Sequence, residues 1–300
     1  MADLFKKEQA SRLFGFIAAG ASIGGIIGPA IPSFFSESLG TDTLMLVAST
    51  LLVASIPIIF YLQTTTIAEP HHSINSSTNV TDPNLIAPNF TAPNFRIGGN
   101  PFSGFTLFFT NRYLLAIGAF LFLYTSISSF VYFELKNILA DFNRIERTII
   151  WARMDLAVNT LAIITGMFAT GRLVKGFGMT TTITLIPVVI CAGLLIVAAS
   201  PVLIAVVILQ VVRRAGNYAI TRPSREMLFT RIDRETRFKA KPVIDIVVYR
   251  GGDSIMAWIF TGLTQGLGLG LAAVAIVGAA IAAVWATIGV YLGRRDDRDD

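Results

Sequence analysis

Charged side chains interrupt the apolar second half of this 300-residue sequence in one long stretch, Arg213–Asp253. Its first part, from Arg213 to Lys241, carries nine Lys or Arg residues and only three acidic ones. Guanidinium groups bind carboxylates and phosphates through two parallel hydrogen bonds, so these arginines could bind an anion. The simpler alternative is that a basic segment between apolar spans anchors a membrane protein at its cytoplasmic face.

Ionisable and polar residues also lie inside or at the ends of the apolar runs. A charge at bilayer depth costs about 2.5–3.5 kcal/mol, so it normally faces a partner or a water-filled path. The candidates for a substrate path are Tyr132, Glu134, Asp155, Asn159, Gln210, Arg213, Arg214, Asn217, Arg250, Asp253 and Gln265. For each residue taken alone, the alternative is an interfacial charge or a hydrogen bond between helices. If the solute is an anion, Arg213, Arg214 and Arg250 are the residues expected to bind it.

Arg250 and Asp253 are three residues apart, which places them on the same face of a helix. Gly251 and Gly252 between them leave the backbone open to close approach. We expect each charge to be satisfied by the other or by a partner from Arg213–Asn217, because an isolated charge there is costly. The pair is either a static packing pair or part of a cytoplasmic gate.

Sequence signals for other kinds of chemistry are missing. There is no HExxH or GxSxG motif, and His71 and His72 lie together in a polar segment. The single Cys191 excludes an internal disulfide and a cysteine metal site. We therefore predict no catalytic residues, no metal, no cofactor and no enzyme activity. The net charge of +5 needs no nucleic-acid partner, because basic flanks of membrane spans explain it.

The elements that carry these residues are apolar runs of about 20 residues. The chain is 53% hydrophobic and 14% charged, whereas a soluble domain is about 25% charged. This composition predicts an all-α, polytopic membrane helix bundle with about eight transmembrane helices and lipid around it. The predicted spans are Leu13–Phe35, Leu44–Gln63, Tyr113–Phe133, Leu156–Leu173, Thr180–Ala199, Val202–Ile220, Ile244–Leu267 and Leu269–Leu292.

The spans divide the chain unevenly. Residues 1–63 form a partial N-terminal bundle of two spans, and 64–112 form a proline-rich cytoplasmic linker that ends in an interfacial segment. Residues 113–293 form a six-helix bundle, and 294–300 form a charged, soluble tail. Within the bundle, Glu134–Asp155 is predicted to be an amphipathic surface helix, and Gly266–Gly270 a tight turn.

Small residues and charges give two further predictions. Gly20, Gly24 and Gly28 recur every four residues before Pro29, so this helix face is expected to pack closely against another helix. With the N-terminus inside, nineteen of the 24 Lys and Arg residues fall on the inner side. The positive-inside rule therefore places both termini in the cytoplasm.

Several motifs resemble those of the major facilitator superfamily. Six spans after a cytoplasmic linker resemble the second half of such a transporter. The segment GRLVKGFG, with Gly171, Arg172, Gly176 and Gly178, resembles the family's short loop motif, although Val174 and Lys175 stand where an Asp is expected. Gly24, Gly28 and Pro29 resemble the Gly-Pro signature of the fifth helix in the antiporter branch.

A more specific resemblance is to the bacterial relatives of the ATP/ADP translocase group of nucleotide transporters. It rests on REMLF (Arg225–Phe229), RFKAKPVIDIVVYRGGD (Arg237–Asp253) and the N-terminal Met1–Gly25. It implies an antiporter of the bacterial inner membrane that moves a small solute, such as a nucleotide-like or other organic anion, between its two halves near the bilayer midplane.

A weak internal repeat links Asp3–Ser22 with Asp233–Ser254, as in the duplicated halves of these transporters. It implies that the chain begins at the end of a fourth helix and is truncated at its N-terminus. The alternative function is therefore a non-transporting membrane protein or scaffold. The oligomeric state is left open.

Overall fold

The protein is described by a computed structural model that covers residues 7–67, 103–168 and 170–299. The described chain is helical and contains no β-strand, which confirms the predicted all-α fold. Most of the predicted linker, with its prolines, lies outside the described residues. The helices are α1 Lys7–Ile67, α2 Ser103–Thr110, α3 Arg112–Ile138, α4 Arg144–Phe168, α5 Thr170–Ala199, α6 Leu203–Gly216, α7 Arg222–Thr230, α8 Arg234–Pro242, α9 Tyr249–Thr261 and α10 Leu271–Asp299.

Six helical stretches of the described chain are long and apolar enough to cross a membrane. They are Gly20–Ile58, Arg112–Asp141, Arg144–Phe168, Gly171–Ala199, Leu203–Thr230 and Leu271–Asp297. The first of them has 39 residues and overlaps both N-terminal spans predicted from the sequence. The predicted span Ile244–Leu267 is not among the six, although the chain is helical without interruption from Arg234 to Gly266.

A single glycine separates the two N-terminal spans. Gly40 has φ 72° and ψ 159°, a conformation that glycine adopts without steric cost, and the residues on both sides are helical. The predicted spans Leu13–Phe35 and Leu44–Gln63 leave residues 36–43 as a connection, but the structure needs only one residue to break the helix.

Gly178 breaks α5 in the same way, with φ 77° and ψ 172°. Gly171, Arg172 and Gly176 of the predicted loop motif are helical, and only Gly178 leaves the helix. The carboxylate of Asp297 accepts hydrogen bonds from the backbone N–H groups of Met179 (3.0 Å) and Thr180 (3.2 Å). It therefore caps the helix that restarts after the break.

The prediction that residues 294–300 form a soluble tail is also wrong, because other residues of this segment contact the bundle as Asp297 does. The last helix continues to Asp299, and Asp296 is buried in an ion pair with Arg231. The guanidinium of Arg295 lies 5.1 Å from the ring centroid of Tyr113. These contacts hold the charged end of α10 against the ends of α3 and α7.

The predicted surface helix Glu134–Asp155 is also wrong. Glu134 belongs to α3, and Arg144 begins α4, which is itself one of the six apolar stretches. Asn143 and Glu146 form a reciprocal capping box: the N–H of Asn143 donates to Glu146 Oε2 (3.0 Å), and the N–H of Glu146 donates to Asn143 Oδ1 (2.9 Å). This cap starts α4 about three turns earlier than the apolar pattern indicates.

Two wide, π-helical stretches lie within Arg213–Asp253. Asn217–Thr221 lies just before Pro223, and Val243–Val248 lies just after Pro242. Proline lacks an N–H group and its ring crowds the carbonyl four residues earlier, so Pro223 accounts for the widening at Asn217–Thr221. Between them, the Asp233 carboxylate caps α8, and its hydrogen bonds with Thr236 hold the pKa of Asp233 below its usual value.

The core lies among the helices that follow the linker. α10 packs most extensively on α5 and also on α3, and α3 packs on α9. Trp285 on α10 is fully buried beside Phe120, with ring centroids 5.4 Å apart. The short α2 packs on α8, where a Cβ atom added at Gly104 would lie 2.3 Å from the carbonyl oxygen of Lys239.

The first helix packs on α4, but not through the predicted glycines. A Cβ atom added at Gly20, Gly24 or Gly28 meets no atom of the described chain within 4 Å. One added at Gly25 would lie 3.4 Å from Asn159 Oδ1. The contact face is offset from the predicted one by one residue, or about 100° around the helix.

Candidate functional site

Ionisable residues from four helices meet in a cavity of about 510 Å³, which we call the Arg213 cavity. It lies among α3, α4, α6 and α9, and its lining combines two cations, two carboxylates, three neutral polar side chains and three aromatic rings. These residues are Arg213, Arg214, Asp155, Asp253, Ser128, Ser129, Gln210, Tyr132, Phe133 and Trp151.

A second cavity of about 490 Å³ lies towards the basic segment, and we call it the tyrosine cavity. Its lining includes Tyr124, Tyr218, Tyr249 and Asn217, together with four cations, Arg222, Arg225, Lys241 and Arg250, and two carboxylates, Glu226 and Asp245. Asn217, Tyr218 and Thr221 come from one π-helical stretch and Asp245 from the other. The helix distortions therefore shape this cavity.

Arg213 lines the Arg213 cavity, contacts Tyr124 of the tyrosine cavity, and is almost fully buried, with 3% of its surface exposed. Its Nε and Nη2 atoms donate to the Gln210 amide oxygen at 3.0 and 2.8 Å. Its Nη1 atom lies 3.5 Å from the Tyr124 hydroxyl. Both of these partners are neutral. Among the described residues, no carboxylate lies within ion-pairing distance of this guanidinium.

The depth of Arg213 follows from its place in the helix. The apolar stretch Leu203–Thr230 begins ten residues earlier, which corresponds to about 15 Å along the helix axis. A bilayer core is about 30 Å thick, so we expect this guanidinium to lie inside it. An uncompensated charge at that depth is costly and is expected to face a ligand or a water-filled space.

Arg214 differs from its neighbour because it has an acidic partner. Its Nη1 atom forms an ion pair with Asp155 Oδ1 on α4. Asp155 also lines a wider cavity of about 740 Å³ between α1 and α4, together with Gly28, Pro29 and Trp151. This ion pair thus stands where the N-terminal helices meet the six-helix bundle.

The predicted pair of Arg250 and Asp253 does not form. Asp253 lines the Arg213 cavity, where it accepts a hydrogen bond from the Ser129 hydroxyl (3.2 Å). Arg250 is exposed and lines the tyrosine cavity instead. Between them, Gly252 lies against Thr125 and Phe122 of α3.

Three other candidates do not line either cavity. Glu134 is fully buried, and its two carboxyl oxygens have no hydrogen-bond partner among the described residues. Asn159 donates to the carbonyl oxygen of Asp155 (2.9 Å) and lies beside Gly25. Gln265 is exposed at the far end of the helix after α9.

Sequence analysis missed Ser128, Ser129, Phe133 and Trp151 as lining residues. A signal was present on α3, because residues 128, 129, 132 and 133 share one helix face at spacings of three and four. Serine and aromatic residues are common inside apolar helices, however, so their types do not mark them as functional.

Comparison with known protein families identifies the chain. The family model described as Major Facilitator Superfamily matches residues 1–224. The chain belongs to the Major Facilitator Superfamily. No curated protein matches the chain, and neither does any solved structure.

Membership of the Major Facilitator Superfamily makes the chain a multi-pass membrane protein of a secondary transporter family. Substrates of such transporters bind near the bilayer midplane, between the two halves. The Arg213 cavity contains a buried arginine from within an apolar stretch and reaches the ion pair beside α1. It is therefore the candidate substrate site of this major facilitator.

Proposed function

We propose that the protein is a secondary transporter of a small anionic solute and that Arg213 binds the anionic group. The observation that carries the proposal is the buried guanidinium of Arg213, which has only neutral partners in the described chain. A carboxylate or phosphate in the Arg213 cavity would compensate this charge and accept parallel hydrogen bonds from it.

The charges of the tyrosine cavity support an anion path. Glu226 pairs with Arg225 (3.0 Å) and with Lys241, and Asp245 pairs with Arg225 (3.2 Å). Neither Arg222 nor Arg250 pairs with a carboxylate of the described residues. An excess of positive charge in a cleft raises the local concentration of anions.

The resemblance to the nucleotide-transporter group supports a finer proposal, exchange of a nucleotide-like or other organic anion. The two basic motifs that carry this resemblance supply Arg225, Glu226, Lys241, Asp245, Tyr249 and Arg250, all of which line the tyrosine cavity. We propose that a solute passes these residues on its way to Arg213.

The location follows from the same resemblance and from the distribution of charge. An ion pair, a cation–π contact and a helix cap hold Arg231, Arg295 and Asp297 at the end of the bundle that also holds α8. We propose that this basic end faces the cytoplasm of a bacterial inner membrane, in keeping with the positive-inside rule.

An uptake screen tests the proposal. The purified protein in liposomes is offered labelled nucleotides, inorganic phosphate and dicarboxylates, with and without the same compound inside. We expect saturable uptake of an anion, faster in preloaded liposomes, and loss of at least 90% of it in Arg213→Gln. Arg213→Lys is the matched variant that keeps the charge and should retain part of the uptake.

Uptake of neutral solutes only, or full uptake of an anion by Arg213→Gln, would disprove the role of Arg213.

The second candidate function, a non-transporting scaffold, is favoured by one observation. Little of Gly20–Ile58 is buried in the described chain, and Gly20, Gly24 and Gly28 are exposed. Binding of an anion without any uptake would support that candidate.

A further inference from the structure

The Arg213 cavity has equal numbers of cations and carboxylates, but they do not all form ion pairs. Two cations and two carboxylates line it, but only Arg214 and Asp155 form an ion pair. Arg213 is bound by neutral groups. The remaining carboxylate, Asp253, accepts one hydrogen bond from Ser129. The cavity therefore presents one uncompensated cation and one uncompensated carboxylate.

No other cation of the described chain neutralises Asp253. Arg250, one turn earlier on the same helix, lines the tyrosine cavity, and Arg214 is held by Asp155. Asp253 lies about 20 Å along the axis from the helix end at Gly266 and lines the same cavity as Arg213. A carboxylate at this depth is expected to face a positive partner.

The aromatic residues of the same cavity also favour a cation. Tyr132 lies 5.6 Å from Trp151 and 5.3 Å from Phe133, as measured between ring centroids. The faces of such rings attract ammonium groups, and the attraction is stronger where water is excluded. An anion alone gains nothing from this wall of the cavity.

From these observations we infer that the Arg213 cavity takes an amphoteric solute, with its anionic group on Arg213 and its cationic group on Asp253. This inference rests on the proposed function and adds to it the second charge of the solute. The chemical class is a small molecule that carries one carboxylate or phosphate and one amine. Each charge of the solute then compensates one charge of the cavity, and no ion is left unpaired at bilayer depth.

Matched sets of compounds test the inference on the unmodified protein. One set is phosphoethanolamine, ethyl phosphate and ethylamine, and the other is β-alanine, propionate and propylamine. Equilibrium binding to the full chain in detergent is measured for each compound. We expect the amphoteric member of at least one set to bind about tenfold more tightly than its anionic or cationic relative.

Two variants connect this preference to the residues. In Asp253→Asn the amphoteric compound should lose its tenfold advantage, while the purely anionic compound binds as well as before or better. In Ser129→Ala, which keeps the charge and removes the hydroxyl donor, the advantage should shrink and not disappear. Glu235→Gln removes an exposed carboxylate outside the cavities and should change neither value.

The outcomes separate this inference from the proposed function. Equal binding of the amphoteric and anionic compounds by the unmodified protein and by Asp253→Asn would overturn the inference and leave the anion site intact. No binding of any anionic or amphoteric compound would overturn both. Anion binding that strengthens when sodium replaces N-methylglucamine, and does so only with Asp253 present, would show that Asp253 takes an inorganic cation and would also overturn the inference.

Discussion

Arg214 on α6 and Asp155 on α4 form an ion pair at the place where the Arg213 cavity adjoins α1. Both side chains are partly exposed, 24% and 38%, so each retains some contact with the cavity. Removal of one partner leaves the other charge unpaired at bilayer depth. This relationship makes a prediction about stability that is independent of any substrate.

Asp155→Asn and Arg214→Gln should each lower the free energy of unfolding by about 1–3 kcal/mol, and the double variant should recover at least half of that loss. Thermal unfolding in detergent measures the effect. Asp42→Asn is the control, because its partner Arg144 and Asp42 itself are 62% and 83% exposed, and it should cost about 0–1 kcal/mol. Additive losses in the double variant would contradict a direct pair.

The two adjacent glycines of α9 should respond differently to a methyl group. A Cβ atom at Gly252 would lie 2.5 Å from Thr125 Oγ1 and 3.2 Å from the Phe122 ring, whereas Gly251 faces open space. Gly252→Ala should therefore cost about 1–3 kcal/mol of stability, and Gly251→Ala should be close to neutral. Equal melting temperatures for the two variants would show that α3 and α9 do not pack as described.

Asp297 should stabilise the helix that begins after Gly178. Besides the two backbone N–H groups, its carboxylate accepts a hydrogen bond from the Thr180 hydroxyl. Asp297→Ala removes this cap and should cost about 0.5–2 kcal/mol, whereas Asp297→Asn should retain most of the stability. Arg294→Ala, at an exposed position five residues before the end of the described helix, serves as the control. A neutral Asp297→Ala would restore the interpretation of this segment as a free tail.

Glu134 should give the protein a lower free energy of unfolding than an apolar side chain would, because its carboxyl group is buried without a hydrogen-bond partner in the described chain. Glu134→Met, which is apolar and of similar volume, should raise the free energy of unfolding by about 1–3 kcal/mol. The melting temperature checks this expectation. A clear decrease would mean that the carboxyl group has a binding partner that stabilises the folded protein.

Cysteine labelling checks the orientation of the bundle. In a Cys191→Ala background, Glu235→Cys and Lys136→Cys place exposed thiols at opposite ends. A membrane-impermeant maleimide added to intact cells should label Lys136→Cys and not Glu235→Cys, because the positive-inside rule places the basic end in the cytoplasm. The opposite pattern would reverse the proposed topology, and labelling after lysis confirms that both thiols are reactive.

Much of the candidate site could be predicted because a charge within an apolar run is visible in the sequence. Asp155, Gln210, Arg213, Arg214 and Asp253 were all predicted, and all line the Arg213 cavity. Their pairing could not be predicted, because an ion pair depends on which helices are neighbours and how each is rotated about its axis. Ser129 and Trp151 were missed because their contribution depends on position and not on residue type.

The sequence by itself determined the all-helical membrane class, because the length and apolarity of a span are local properties of the chain. The sequence alone was also enough to assign the family, since the family model matches residues 1–224. Only the tertiary structure decided that Asp155 and not Asp253 forms an ion pair with an arginine, and that Asp297 accepts hydrogen bonds from α5. These contacts join residues 59 or more positions apart, and helix packing alone brings them together.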